Sequence, residues 1–169
     1  MNYQPLILTL TFDDATFALL DGLRRQHFPP KRNFIPAHVT LFHALPGEQQ
    51  PAIIAALERI CNTTAPLPLA LPAVRFLGRG VALEVESAAL RQLRAALARE
   101  WGEWLGAQDR QGYRPHVTIQ NKVDAPTARE LYTELSANWQ QHDAVGEGLT
   151  LWYYHGGPWE LAGEFPFRG

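Results

Sequence analysis

The chain has 169 residues, of which 46% are apolar and 19% charged, with a formal net charge of -2. That length and balance suit one domain with an ordinary hydrophobic core, they indicate neither intrinsic disorder nor a broadly basic nucleic-acid surface, and no accessory domain is expected. Cys61 is the single cysteine, which excludes an internal disulfide framework and a cysteine-rich zinc site, and fits a reducing cytosol.

The apolar run Leu6 to Phe12 follows a start without Lys or Arg and leads into Asp13 and Asp14. It reads as a first strand rather than the core of a secretory signal. No stretch approaches the roughly 18 apolar residues of a membrane helix, so a soluble, cytoplasmic, monomeric protein with no membrane partner is expected. Asp13 or Asp14 is predicted to cap a helix to about Gln26, closed by Pro29 and Pro30. Arg24, Arg25, Lys31 and Arg32 gather ahead of the next strand. A solvated basic loop is expected of them, with guidance of an RNA end as the functional alternative.

A strand over Ala37 to Ala44 precedes a helix from about Pro51 to Cys61, marked by Ile53, Ile54, Leu57 and Ile60, in which Cys61 is a small buried residue. A strand from Leu67 to Phe76 follows, and the prolines at 66, 68 and 72 place it at a sheet edge. Gly78 and Gly80 turn the chain into Val81 to Val85. Ser87 caps a long helix whose Leu90, Leu93, Leu97, Trp101 and Trp104 form one stripe. A polar loop, Gly106 to Gly112, leads to a strand over His116 to Gln120 and then to a helix from about Pro126 to Trp139 capped by Asp124. Strands Leu149 to Tyr154 and Trp159 to Phe165, joined by the turn His155 to Pro158, end the chain. Residues 1–169 thus read as one domain of two halves, about 4–77 and 78–169. Each is β-α-β-α-β, with one extra strand at the end and exchange of strands between the halves allowed.

The second strand of each half carries the same tetrad, His38-Val39-Thr40-Leu41 and His116-Val117-Thr118-Ile119, with Pro36 or Pro115 just upstream. Strand alternation turns the valine and the last residue to one face, and the imidazole and hydroxyl to the other, about 7 Å apart at the backbone. Two such strands facing one groove suit in-line displacement at phosphorus, which wants a base on one side and an acid on the other. Histidine serves either role near neutrality, and ring nitrogens roughly 6 to 9 Å apart are expected from two hydrogen-bond reaches. Thr40 and Thr118 would donate to the non-bridging oxygens. A metal site is disfavoured, because each His-x-Thr strand supplies one ligand and no acid lies beside either tetrad.

The stretches Pro36-Ala-His38-Val-Thr40-Leu and Tyr113-Arg-Pro-His116-Val-Thr118-Ile, with their histidines 78 positions apart, resemble the two-histidine phosphoesterase superfamily. That superfamily includes the RNA 2′,3′-cyclic phosphodiesterases, also called 2′-5′ RNA ligases. The resemblance extends over nearly the whole chain, through the duplicated pattern to the end at Trp152 to Phe167. It implies an α+β fold of two ferredoxin-like lobes related by a pseudo-twofold axis, with antiparallel sheets forming a central groove. It also implies metal- and cofactor-free opening of a 2′,3′-cyclic phosphate, at an RNA end or on a nucleotide, to a 2′-phosphate. Ligation of 2′-5′ bonds, action on a small cyclic metabolite, and non-catalytic RNA-end binding are the alternatives. By the same resemblance His38 would be the acid and His116 the base. Arg114 and Tyr113 are candidates to bind phosphate or stack a base. His43, five residues after His38, is expected on the opposite strand face. Phe76, Arg79, Tyr154 and His155 are expected to be packing or turn residues rather than a nucleobase clamp.

Overall fold

The computed structural model describes residues 3–169. Strand β1 (Leu6–Phe12) runs into helix α1 (Asp14–His27), whose first turn is capped by the Asp13 carboxylate accepting from the Thr16 amide. Then come β2 (Val39–Leu45), α2 (Gln50–Asn62), β3 (Leu67–Leu71), β4 (Val74–Phe76) and β5 (Val81–Glu84). Helix α3 (Ala88–Glu100) is capped by Ser87. A short α4 (Ala107–Arg110), β6 (His116–Gln120), α5 (Ala125–Asn138) capped by Asp124, β7 (His142–Tyr154) and β8 (Trp159–Pro166) complete the chain. No helix is long and apolar enough to cross a membrane among the described residues.

Two antiparallel sheets result. One has the order β2-β1-β7-β3, with β8 also on β7; the other is β4-β5-β6. The sheets do not follow the division near residue 77, because β7 lies between β1 and β3 while β4 joins β5. Strand β7 is long enough to serve three neighbours. Its first part, His142 to Gly146, pairs with β3, and Gly148 to Tyr154 pairs with β8, while β1 takes the other edge.

The expected single strand Leu67 to Phe76 is broken. Pro72, which lacks an amide proton to give to a ladder, sits at the break, and the chain passes from one sheet to the other there. Isolated pairing of Ala70 with Glu86 stitches the sheets together at this crossing. The polar loop Gly106 to Gly112 contains α4 rather than being irregular throughout.

In the turn from β4 to β5, Gly78 has φ +90, which favours glycine, and a Cβ on Gly80 would stand 2.0 Å from the Gln120 carbonyl oxygen. The core runs continuously through both sheets, from Leu8, Val39 and Leu151 to Leu83, Val117 and Ile119. The predicted α3 stripe supplies Leu90, Leu93, Leu97 and Trp101 to it, with Trp104 partly buried beside them.

The two tetrad strands are both edge strands, β2 of the larger sheet and β6 of the smaller, and they lie against one another. Each unpaired edge leaves backbone carbonyls facing the seam, and two buried arginines satisfy them. Arg24 of α1, 4% exposed, donates to the Thr118 carbonyl at 2.8 Å. Arg94 of α3, 8% exposed, donates from Nε to the Leu41 carbonyl at 3.2 Å and from Nη2 to the Asp109 carbonyl at 2.6 Å. Each helix of one half therefore grips the tetrad strand of the other. The placement of Arg24 in a solvated basic loop is corrected: it is helical, buried, hydrogen-bonded to Asn33 and stacked on Phe28.

Candidate active site

A cavity of about 440 Å³ opens between the two edge strands. His38, Thr40, His116 and Thr118 all line it. In each tetrad the apolar pair is fully buried, Val39 with Leu41 and Val117 with Ile119, and this leaves the imidazole and hydroxyl half-buried on the cavity side. The alternation argument thus holds in both strands.

The two rings are held in the same way. His38 Nδ1 lies 2.8 Å from the Pro36 carbonyl oxygen, and His116 Nδ1 lies 2.9 Å from the Arg114 carbonyl oxygen. A carbonyl oxygen only accepts, so Nδ1 of both rings carries a proton, and the lone pair of each neutral ring sits on Nε2. The carbonyl two residues upstream does this in both motifs. It is presented there by the proline-containing approach, whose residues avoid helical geometry.

Burial is the main influence on both rings, and it disfavours the charged form. His38 is pushed down to about 4, chiefly by burial, against the Pro36 hydrogen bond, with the Arg24, His116 and His43 charges adding to the fall. His116 is also lowered by burial, against the Arg114 hydrogen bond; the Arg75 charge lowers it further, while the Glu84 carboxylate pulls the other way. Only His116 has a carboxylate near enough to favour its proton. Glu84 is itself held ionised by Arg75, which donates to both its oxygens at 2.5 and 3.0 Å.

Of the secondary candidates, Arg114 and Tyr113 both line the cavity. The Arg114 side chain is 72% exposed and lies 3.6 Å from Glu84, so it is free to swing toward an anion. The Tyr113 hydroxyl instead donates to the Thr40 carbonyl at 3.0 Å, and burial raises its pKa. It latches the loop before β6 onto β2. Phe76 packs on Tyr132 under Arg129, Arg79 donates to the Val123 carbonyl, and His155 pairs with Glu160. None of these three, nor the exposed Tyr154, lines the cavity. Arg25 pairs with Asp21, and Lys31 and Arg32 sit in a 3-10 turn away from it.

His43 departs from expectation, because it lines the cavity. In the ladder Thr9 faces Thr40 but Leu8 faces Phe42, so β2 carries an extra residue there, a bulge and one of its two register shifts against β1. Leu41 and Phe42 are consequently both buried, and His43 returns to the face of His38 and Thr40. Parity counted along an unbroken strand cannot detect that insertion. Trp159, whose ring centroid is 4.9 Å from that of His38, and the buried Asp109 were also not legible as site residues. An aromatic opening a terminal strand and an acid in a polar loop carry no local signal. Among the described residues no group of three His, Cys, Asp or Glu side chains is arranged to hold a metal.

The arrangement of two Nε2 lone pairs, two hydroxyls and flanking arginines is suited to proton transfer on either side of a phosphoryl group. A comparison with curated protein sequences found no match. Among solved structures, the chain is similar to TT0787 of Thermus thermophilus, at 20% identity over 98% of both chains with a TM-score of 0.70. It is similar to E. coli LigT complexed with 3′-AMP at 16% identity, over 99% of this chain and 100% of that one, with a TM-score of 0.66. A structure described as a phosphoesterase matches at 17% identity over 98% and 99% of the two chains, with a TM-score of 0.64. At these identities the likeness is one of fold, and it matches the two-lobed α+β architecture with antiparallel sheets. A family model described as the 2′-5′ RNA ligase superfamily matches residues 12–158, so the chain belongs to that superfamily of two-histidine phosphoesterases.

Proposed function

We propose that the protein is a metal-independent phosphodiesterase that opens a 2′,3′-cyclic phosphate, on an RNA end or a nucleotide, to a 2′-phosphate. The observation that carries this reading is the paired tautomer: two cavity-lining imidazoles, each with Nδ1–H fixed on a main-chain carbonyl and Nε2 left as the proton-transfer atom. The complexes of E. coli LigT with 3′-AMP, phosphate, NADP+ and ATP support a phosphorylated nucleotide as the ligand class.

One ring takes a proton from water as it attacks phosphorus, and the other gives a proton to the departing 3′ oxygen. The resemblance assigns His38 as acid and His116 as base; the deeper depression of His38, chiefly by burial, favours the reverse. His38 has only cations among its charged neighbours, so its neutral form is the stable one and suits the base. His116 is lowered as well, by burial and the Arg75 charge with Glu84 offsetting part of it, but less strongly than His38, and so suits the acid. Thr40 and Thr118 donate to the non-bridging oxygens as charge builds there. Trp159 and Arg114 flank the site as a stacking surface and a mobile cation.

The test is turnover of adenosine 2′,3′-cyclic phosphate with and without EDTA, with the product assigned by 31P NMR. A 2′-phosphate formed at the same rate in both conditions is expected. A 3′-phosphate, or loss of activity restored by zinc, would contradict the reading.

A further inference from the structure

The two sheets present different residues beside the two tetrads. In the larger sheet Thr40 faces Thr9 of β1, and Thr9 faces Thr150 of β7, so three hydroxyl side chains share one row. In the smaller sheet Thr118 faces Ala82 of β5, and Ala82 faces Arg75 of β4. Residues opposite one another in an antiparallel ladder share a face. Arg75 therefore projects from the same face as Thr118, with only the methyl of the fully buried Ala82 between them in the row. In the next row along that face, Glu84 stands opposite His116.

Arg75 reaches across that face toward the reacting groups. Its side chain is 16% exposed and lines the cavity. Nε donates to one oxygen of Glu84 at 2.5 Å and Nη2 to the other at 3.0 Å, a two-pronged hold that a planar guanidinium allows and an ammonium does not. The remaining nitrogen, Nη1, carries two N–H groups that have no hydrogen-bond partner among the described residues, and it is not sealed from solvent. Together with Glu84 the pair is formally neutral, so Arg75 adds no net charge to the cavity; it adds a donor whose position is fixed. The other arginines of the cavity are held differently. Arg94 is stacked on the Phe42 and Tyr113 rings and serves main-chain carbonyls, and Arg114 is mostly exposed.

We infer that Arg75, held by Glu84, donates from Nη1 to one non-bridging oxygen of the phosphoryl group on the Thr118 side, and that the enzyme thereby treats the two non-bridging oxygens unequally. Negative charge grows on these oxygens as phosphorus is attacked, so a donor already in place stabilises the transition state more than the ground state. The oxygen on the Thr40 side receives a neutral hydroxyl alone. Sulfur is a poorer acceptor than oxygen, so the two diastereomers of a cyclic phosphorothioate report on the two positions separately. This inference rests on the cyclic phosphodiesterase reading for the reaction, but contact between Arg75 and a phosphoryl group is measurable by binding alone.

The experiment measures kcat for adenosine 2′,3′-cyclic phosphate and for the two diastereomers of its cyclic phosphorothioate, and the affinity for adenosine 2′-phosphate by calorimetry. It uses the wild type, Arg75→Met, which keeps most of the stem, and Arg75→Lys, which keeps a cation beside Glu84. The wild type should favour one diastereomer by about tenfold, the scale of one hydrogen bond to a charged group. Both variants should lower kcat on the oxygen substrate by about 10²-fold, the scale of one lost oxyanion donor. They should also bring the diastereomer ratio close to one and weaken adenosine 2′-phosphate binding roughly tenfold. A purely structural role lowers the rates on all three substrates together and leaves the ratio where it was. Equal rates on the two diastereomers in the wild type, or a ratio that survives in both variants, overturns the assignment even where kcat falls. Absence of wild-type turnover defeats the hydrolase reading by itself, and the affinity arm then decides Arg75: binding of equal strength in wild type and variants, absence of binding included, overturns it.

Discussion

Replacing Arg94 by methionine tests how the two halves are fastened at the site. The guanidinium is buried between the Phe42 ring, 4.3 Å from its carbon, and the Tyr113 ring at 5.0 Å, and it serves the Leu41 and Asp109 carbonyls. Methionine keeps most of the apolar stem but leaves both carbonyls without a donor in a dry environment, about 1 to 2 kcal/mol each. Lost stacking adds roughly 1 kcal/mol, and relief of the buried charge offsets part of the total. A net loss of about 3 kcal/mol follows from these contributions, or roughly 6 to 12 °C in Tm for a chain of this size. Urea unfolding at neutral pH should show a lower midpoint with an unchanged slope, since the surface exposed on unfolding is the same. The Asp109 carbonyl is one of the two groups left unpaired, so the His43 side of the cavity should loosen as well. A midpoint shift worth less than about 1 kcal/mol would refute the view that this cation fastens β2 to α3.

Other outcomes follow from the same contacts. His38 titrates near 4 in the folded protein against an ordinary 6.5; the unfolded chain therefore binds more protons between these values, and stability falls as pH drops through that window. In His38→Gln the decline measured by urea unfolding from pH 7 to pH 4.5 should be shallower, and an unchanged or steeper decline would contradict a lowered value. Trp159→Leu removes the ring packed beside His38 and should raise KM for a cyclic nucleotide roughly tenfold, the scale of one base–aromatic stack; an unchanged KM in steady-state assays would remove Trp159 from the substrate site.

Local signals survived folding where they depended on neighbours in sequence. Strand Leu6–Phe12 begins and ends with its apolar run and His116–Gln120 with its alternation, and Asp13, Ser87 and Asp124 each cap the helix that follows. Strand β7 was legible only from Leu149 onward. Its first half contains Asp143, Glu147 and two glycines, of which Gly148 is needed because a Cβ there would meet the Phe165 carbonyl oxygen at 2.7 Å. A glycine that reads as a loop is in this case what lets β8 approach.

The site divides in the same way. His38, Thr40, His116 and Thr118 were legible because each tetrad carries its face assignment within four residues. Asp109 and Arg94 reach His43 and Leu41 across 66 and 53 positions, a relation fixed by tertiary packing and by a bulge that the residue pattern of β2 does not mark. Arg24, one of a run of basic residues, is buried because an edge strand of the other half presents it a carbonyl.

The central claim is that the His38 and His116 imidazoles act on one phosphoryl group. Its most direct test is a double-mutant cycle on 2′,3′-cyclic phosphate hydrolysis with His38→Ala, His116→Ala and the pair. Each single change should cost at least roughly 10²-fold in kcat, the usual scale for a lost general acid or base, and the double variant should be little worse than either single one, because the two groups work as a unit. Costs that simply multiply, or full activity in either single variant, would contradict it.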